Sequence, residues 1–163
     1  GLADEILANF SFGESDAMIV FSSSGSSAVP IEMAMGAQRL GLPVIAVTSV
    51  AHSMASEPGH SSGTRLLDHA DLVIDLGTPP GDSLIELDGL ETRVGPGSTV
   101  ANIAITNEIK VQTAALLFER GLLPPVLTSS VLVGPERSRE IFDAAYGEHA
   151  RRLVAVLAMS EES

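Results

Sequence analysis

The densest chemistry in this chain lies in six consecutive positions, Ser22-Ser23-Ser24-Gly25-Ser26-Ser27. An apolar run, Ala17–Phe21, precedes them and reads as a buried strand. Pro30-Ile31-Glu32-Met33-Ala34-Met35 follows and reads as the first turns of a helix. Serine hydroxyls can donate to phosphate oxygens without adding charge. At a strand-to-helix turn, free backbone N–H groups and the positive end of the helix dipole favour an anion. One serine before a helix is an ordinary cap. Five exceed what a cap uses, and the simplest ligand for the loop is a phosphate group.

Acid–base chemistry would need carboxylates or histidine nearby. Glu32 follows the serine loop by one helical turn and either points toward a site or faces solvent. Glu108 sits on a mostly apolar helix, where burial would raise a carboxyl pKa; a salt bridge or an exposed position is the plainer reading. His60 lies in a polar loop beside Ser61-Ser62-Gly63, which could order it over a ligand. His52, His69 and His149 have no comparable context. With no cysteine and widely spaced histidines, no metal site is expected. No cofactor is expected either: the chain has neither a Walker loop nor a dinucleotide Gly-x-Gly-x-x-Gly, and no nucleophile elbow.

The elements that must position these residues follow from the apolar pattern. Ala17–Phe21, Pro43–Thr48 and Asp71–Leu76 are short, β-rich and without alternation, as in central parallel strands. Between the first two, Ile31–Leu40 has helical spacing, with Pro30 as the first helical residue and Gly41 as the stop. The second crossover is longer: Val50–Ser62 reads as irregular and Thr64–His69 as helical. Asp88-Gly89, between Leu84–Leu87 and Leu90–Val94, predicts a type I′ hairpin with one apolar face. Ser98–Arg120 is the clearest helix, apolar around much of its circumference, and therefore expected in a core or an oligomer interface. After Pro124-Pro125, Val126–Val133 reads as extended and Glu136–Ala158 as one or two helices, with Gly147 a potential break.

Composition narrows the function. The chain has 163 residues, 45% of them hydrophobic, enough for one domain with a real core. Its net charge of −12, with Lys110 the only lysine, excludes a basic nucleic-acid surface and argues against anionic membranes. No apolar run reaches the length of a membrane span, and the first residues lack the pattern of a signal peptide. Absent cysteine fits a cytoplasmic protein. The chain does not begin with Met, as expected of a fragment of a longer protein or of a processed chain.

Taken in order, these pieces resemble the sugar isomerase (SIS) domain family of phosphosugar isomerases and phosphosugar-binding modules. Ser22-x-Ser24-Gly25-x-Ser27 matches that family's phosphate loop. A narrower likeness, to an uncharacterised bacterial subgroup, rests on Val29–Ala34, Val44–Ser49, His60–Gly63, Ala70–Asp75, Gly81-Asp82 and Pro124-Pro125. The resemblance implies a flavodoxin-like three-layer α/β/α sandwich with a parallel sheet, and dimers or tetramers with shared sites. Residues 1–163 would be a single such domain without its N-terminal strand and glycine-rich loop. It implies that Ser22, Ser23, Ser24 and Ser27 hold a sugar phosphate, with Thr48 and Ser49 on the same strand edge. The late-helix histidine of phosphoheptose isomerases has no counterpart in Asn102–Val111, so that activity and its zinc are not carried over. Two functions follow as expectations: a sugar-phosphate isomerase-like enzyme, with His60, Glu32 and Glu108 as its acid–base candidates, or a non-catalytic module that senses a sugar phosphate.

Overall fold

The computed structural model describes residues 1–160. By its contacts the chain divides into two compact units, Gly1–Asn107 and Glu108–Ser163.

The first unit is built on a parallel sheet in the order β1-β2-β3, made of Met18–Phe21, Val44–Thr48 and Leu72–Asp75. In register, Ile19 pairs with Ile45 and Ile45 with Leu72. The three apolar runs form the strands they predict, each trimmed by a residue or two. The fold class is α/β, as expected: a parallel sheet with helices packed on it.

Helix α1 spans Leu2–Leu7 and α2 spans Ala28–Arg39. Alternation sends Val20, Val44 and Ala46 toward α2, where they meet Ile31, Ala34 and Ala37. Leu42 and Leu66 close this core. Ile31 is fully buried, and truncating it to alanine would cost about 2–5 kcal/mol. Helix α1 packs on α2 at Gly36, where a Cβ would lie 2.3 Å from Leu7 Cδ1. Pro30 is the third helical residue rather than the first, still within the turn whose N–H groups lack partners. Gly41 ends the helix with a positive φ of 76°. On the opposite sheet face, Ile19 and Phe21 are 39% and 43% exposed.

The second crossover is more ordered than its polar sequence suggests. Val50–Ala55 is helix α3, capped by the Ser49 side chain, and Leu66–His69 is a 3-10 turn. The arginine that joins them, Arg65, donates from Nε to the Ser53 carbonyl and from Nη2 to the Ser56 carbonyl, both at 2.9 Å. It thereby satisfies open acceptors at the helix end.

The hairpin forms differently from the expectation. Strands β4 (Ser83–Ile85) and β5 (Val94–Pro96) pair antiparallel, Ile85 with Val94, so the connection is longer than two residues. The Leu90 N–H does close a turn on the Leu87 carbonyl at 3.0 Å. Gly89 has φ 82°, but Asp88 is not among the positive-φ residues, so this is not a type I′ turn.

Helix α4, Gly97–Glu119, runs across the division between units. Its apolar side chains are not buried in a core: Val100, Ile103, Val111 and Phe118 are each 60% exposed or more. The second unit continues with α5, Ser130–Val133, within the stretch expected to be extended, and α6, Pro135–Ser160. Helix α6 passes Gly147 unbroken.

Candidate functional site

The serine loop leaves the carboxyl end of β1 and enters α2 at Ser27, the N-cap. Its carbonyls are held by the surrounding scaffold. Ser23 accepts from the Ser49 N–H at 3.0 Å, Gly25 from the Leu66 N–H at 2.8 Å, and Ser26 from the Gly59 N–H at 2.8 Å. Three carbonyls that would repel an anion are therefore already committed to the scaffold.

The hydroxyls behave differently from one another. Ser22 Oγ accepts from the Gly25 N–H at 3.2 Å. Ser24 Oγ accepts from the Ser26 hydroxyl at 2.9 Å and the Ser26 N–H at 3.4 Å. Each keeps its own proton to donate elsewhere. Ser27 is exposed and makes no side-chain cap bond. Ser23 Oγ is buried without a partner among the described residues. The hydroxyl protons of Ser22 and Ser24 are thus not used by these contacts, Ser27 is exposed at the N-cap of α2, and the Ser23 hydroxyl is buried.

Thr48 and Ser49 are fully buried beneath the loop. Thr48 Oγ1 donates to the Ser23 carbonyl at 3.2 Å. Ser49 Oγ donates to the Thr78 carbonyl at 2.5 Å and accepts from the His52 N–H at 3.1 Å. Both residues brace the loop. Gly25, at φ 60°, rests on this floor: a Cβ there would lie 3.0 Å from the hydroxyls of both Ser53 and Thr48.

His60 follows directly on Gly59, the residue that docks the crossover on the loop. Its Nε2 lies 3.6 Å from Glu32 Oε1. The two side chains are only partly exposed, at 15% and 31%. The structure therefore brings the serine loop, Glu32 and His60 together within the first unit. Glu108 opens the second unit, is exposed, and accepts from Gln112 Nε2 at 2.7 Å. The buried position on an apolar helix that its sequence context suggested is not there.

Asp82 forms a separate polar point where α4 begins. It accepts from the Ser98 N–H at 2.9 Å and from Ser98 Oγ at 2.5 Å. Burial works against its charge, but the Ser98 bonds outweigh that and hold the carboxyl below the usual range. Among the described residues, no group of three or more histidines and carboxylates could hold a metal ion.

Sequence reasoning missed α1, although Leu2, Ala3, Ile6 and Leu7 have helical spacing. It also missed Gly59 and Arg65. Pro58-Gly59 signals a turn, but nothing local says that its backbone meets Ser26.

A model of the SIS domain matches residues 1–49, the segment carrying β1, the serine loop, α2 and β2. A UPF0309 protein of Streptomyces coelicolor is 39% identical over 148 residues, covering 91% of this chain and 59% of that relative. One from Brucella anthropi is 40% identical over 136 residues, 83% of this chain and 55% of its own length. One from Halalkalibacterium halodurans is 34% identical, over 83% of this chain and 56% of the relative. The chain thus spans less than three fifths of the length of these curated relatives. No described helix is long and apolar enough to cross a membrane.

Proposed function

We propose that this chain binds a sugar phosphate at Ser22–Ser27 as part of an isomerase-like enzyme. The observation that carries the reading is the orientation of the loop. Its carbonyls at Ser23, Gly25 and Ser26 are taken by scaffold N–H groups, while the protons of Ser22, Ser24 and Ser27 stay available at a helix N-terminus. In this reading those three hydroxyls hold the phosphate, and Thr48 and Ser49 hold the loop. Glu32 and His60 face the sugar as the acid–base pair that moves a proton between adjacent carbons.

The acidic surface makes the ligand's anchoring local. With a net charge of −12, the chain as a whole repels an anion, and binding depends on dipoles and hydroxyls at short range. The reading places the protein in the cytoplasm, because a charged sugar phosphate does not cross a bilayer unaided. It also takes the functional form as a homo-oligomer, supported by the exposed apolar side chains of α4.

The test is calorimetry with hexose and heptose phosphates, followed by solvent deuterium incorporation at C2. Binding with exchange is expected. Binding without exchange would make the domain a sensing module. No binding to any of these ligands, by native protein and a Ser24→Ala/Ser27→Ala variant alike, would overturn the reading.

A further inference from the structure

Two histidines of the second crossover are tied to the same helix. His60 Nε2 faces Glu32 Oε1 at 3.6 Å, and His69 Nδ1 lies 3.2 Å from the Gln38 side-chain oxygen. Glu32 and Gln38 both belong to α2. Between the histidines runs an unbroken chain of short contacts. His60 Nδ1 meets Ser62 Oγ at 2.7 Å, Ser62 Oγ meets Thr64 Oγ1 at 2.6 Å, and Thr64 Oγ1 meets His69 Nε2 at 2.8 Å.

Counting protons sets the direction of this chain. Three contacts at these distances need three protons. The hydroxyls of Ser62 and Thr64 supply two. The third must come from an imidazole. His60 Nδ1 accepts the Ser62 backbone N–H at 3.2 Å, so it carries no proton. The proton therefore sits on His69 Nε2. Then His69 donates to Thr64, Thr64 donates to Ser62, and Ser62 donates to His60 Nδ1. The Thr64 backbone N–H, 3.2 Å from Ser62 Oγ, fills the second acceptor position of that hydroxyl. At its far end the chain asks one of two things of His69. Either the Gln38 amide turns its NH2 toward Nδ1, which is an exchange of two near-identical atoms, or His69 carries both protons.

We propose that Ser62 and Thr64, with Gln38 and His69, are positioning residues that fix the tautomer of His60. They hold it as the imidazole with its proton on Nε2, the nitrogen beside Glu32. This rests on the phosphosugar reading for its use and deepens it. His60 presents a donor to a sugar oxygen, and Glu32 is left as the group that accepts a proton from carbon.

The experiment is long-range 1H–15N spectroscopy of the full chain with 15N-labelled histidine, without ligand, at neutral pH. His60 and His69 are assigned by His60→Gln and His69→Gln variants. The expected result is a His60 proton on Nε2 and a His69 proton on Nε2, alone or as imidazolium. In Ser62→Ala the His60 tautomer ratio should move about fivefold toward Nδ1–H, as for one lost hydrogen bond. Ser62→Thr should restore it. A His60 proton on Nδ1 in the native chain, a His69 proton on Nδ1 alone, or an unchanged ratio in Ser62→Ala would each overturn the proposal. Because no ligand is present, the result stands or falls separately from sugar-phosphate binding.

Discussion

The backbone N–H of Gly59 donates to the carbonyl of Ser26 at 2.8 Å, and a Cβ on Gly59 would stand 2.8 Å from that same oxygen. This contact docks the second crossover on the serine loop. It allows no side chain at residue 59, because the obstacle is backbone and cannot rotate away. Gly59→Ala should therefore lift the crossover, at a cost of about 1–3 kcal/mol. Amide hydrogen exchange should show faster exchange at Gly59 and at Leu66, the next N–H bonded to the loop. Unchanged protection at both would show that the docking tolerates a methyl group.

Gly25 sits in the left-handed region with the Ser53 and Thr48 hydroxyls beneath it. Gly25→Ala adds both a conformational cost and a crowded contact, together about 1–3 kcal/mol. Phosphate affinity should fall in the same variant, since the loop cannot keep its shape. Chemical denaturation and calorimetry on one preparation check both.

Thr48→Val removes the hydroxyl that bonds the Ser23 carbonyl but leaves the Ser49 N–H on that oxygen. The expected loss is about 1 kcal/mol of stability. If Thr48 braces the loop rather than touching ligand, saturating sugar phosphate should still bind, with affinity reduced less than in Ser24→Ala. A greater loss of affinity in Thr48→Val than in Ser24→Ala would place Thr48 in direct contact with the ligand.

Asp82 has its pKa lowered in the folded chain. Its contribution is therefore present above the ordinary carboxylate pKa of about 4 and fades as pH falls through the lower folded value. Asp82→Asn keeps one acceptor for Ser98 but loses the charge at the helix start, and should cost about 0.3–1 kcal/mol near neutral pH. Thermal melts of native and variant should converge as the solution is made more acidic. Parallel melting curves at every pH would remove the charge from the explanation.

The exposed apolar side chains of α4 make the oligomer reading measurable. Val100 is 71% exposed and Phe118 72%. Ile103→Glu and Phe118→Glu should shift the mass seen by light scattering toward the monomer at micromolar concentration. A native chain that is already monomeric there would end that reading.

Much of this was legible in the sequence, for local reasons. The three parallel strands declare themselves because both faces of such a sheet select apolar β-branched residues. Helix α2 is framed by the serine loop and Gly41, and the serine loop by the strand and helix it joins. What the sequence could not rank were the hydroxyls. Ser23 and Ser24 are neighbours of the same type, yet the hydroxyl of one is buried without a partner and that of the other bonds Ser26 within the loop. Thr48 and Ser49 share the loop's edge, but their burial under Ser23 is a property of the packed sheet. Helix α3 escaped because it is a single short turn-and-a-half whose end is held from a distance: Arg65, twelve positions on, donates to the Ser53 backbone carbonyl. The approach of His60 to Glu32, and of His69 to Gln38, joins residues about thirty positions apart. Only the fold of the crossover back over α2 decides it, because no local pattern encodes which helix a loop will lie against.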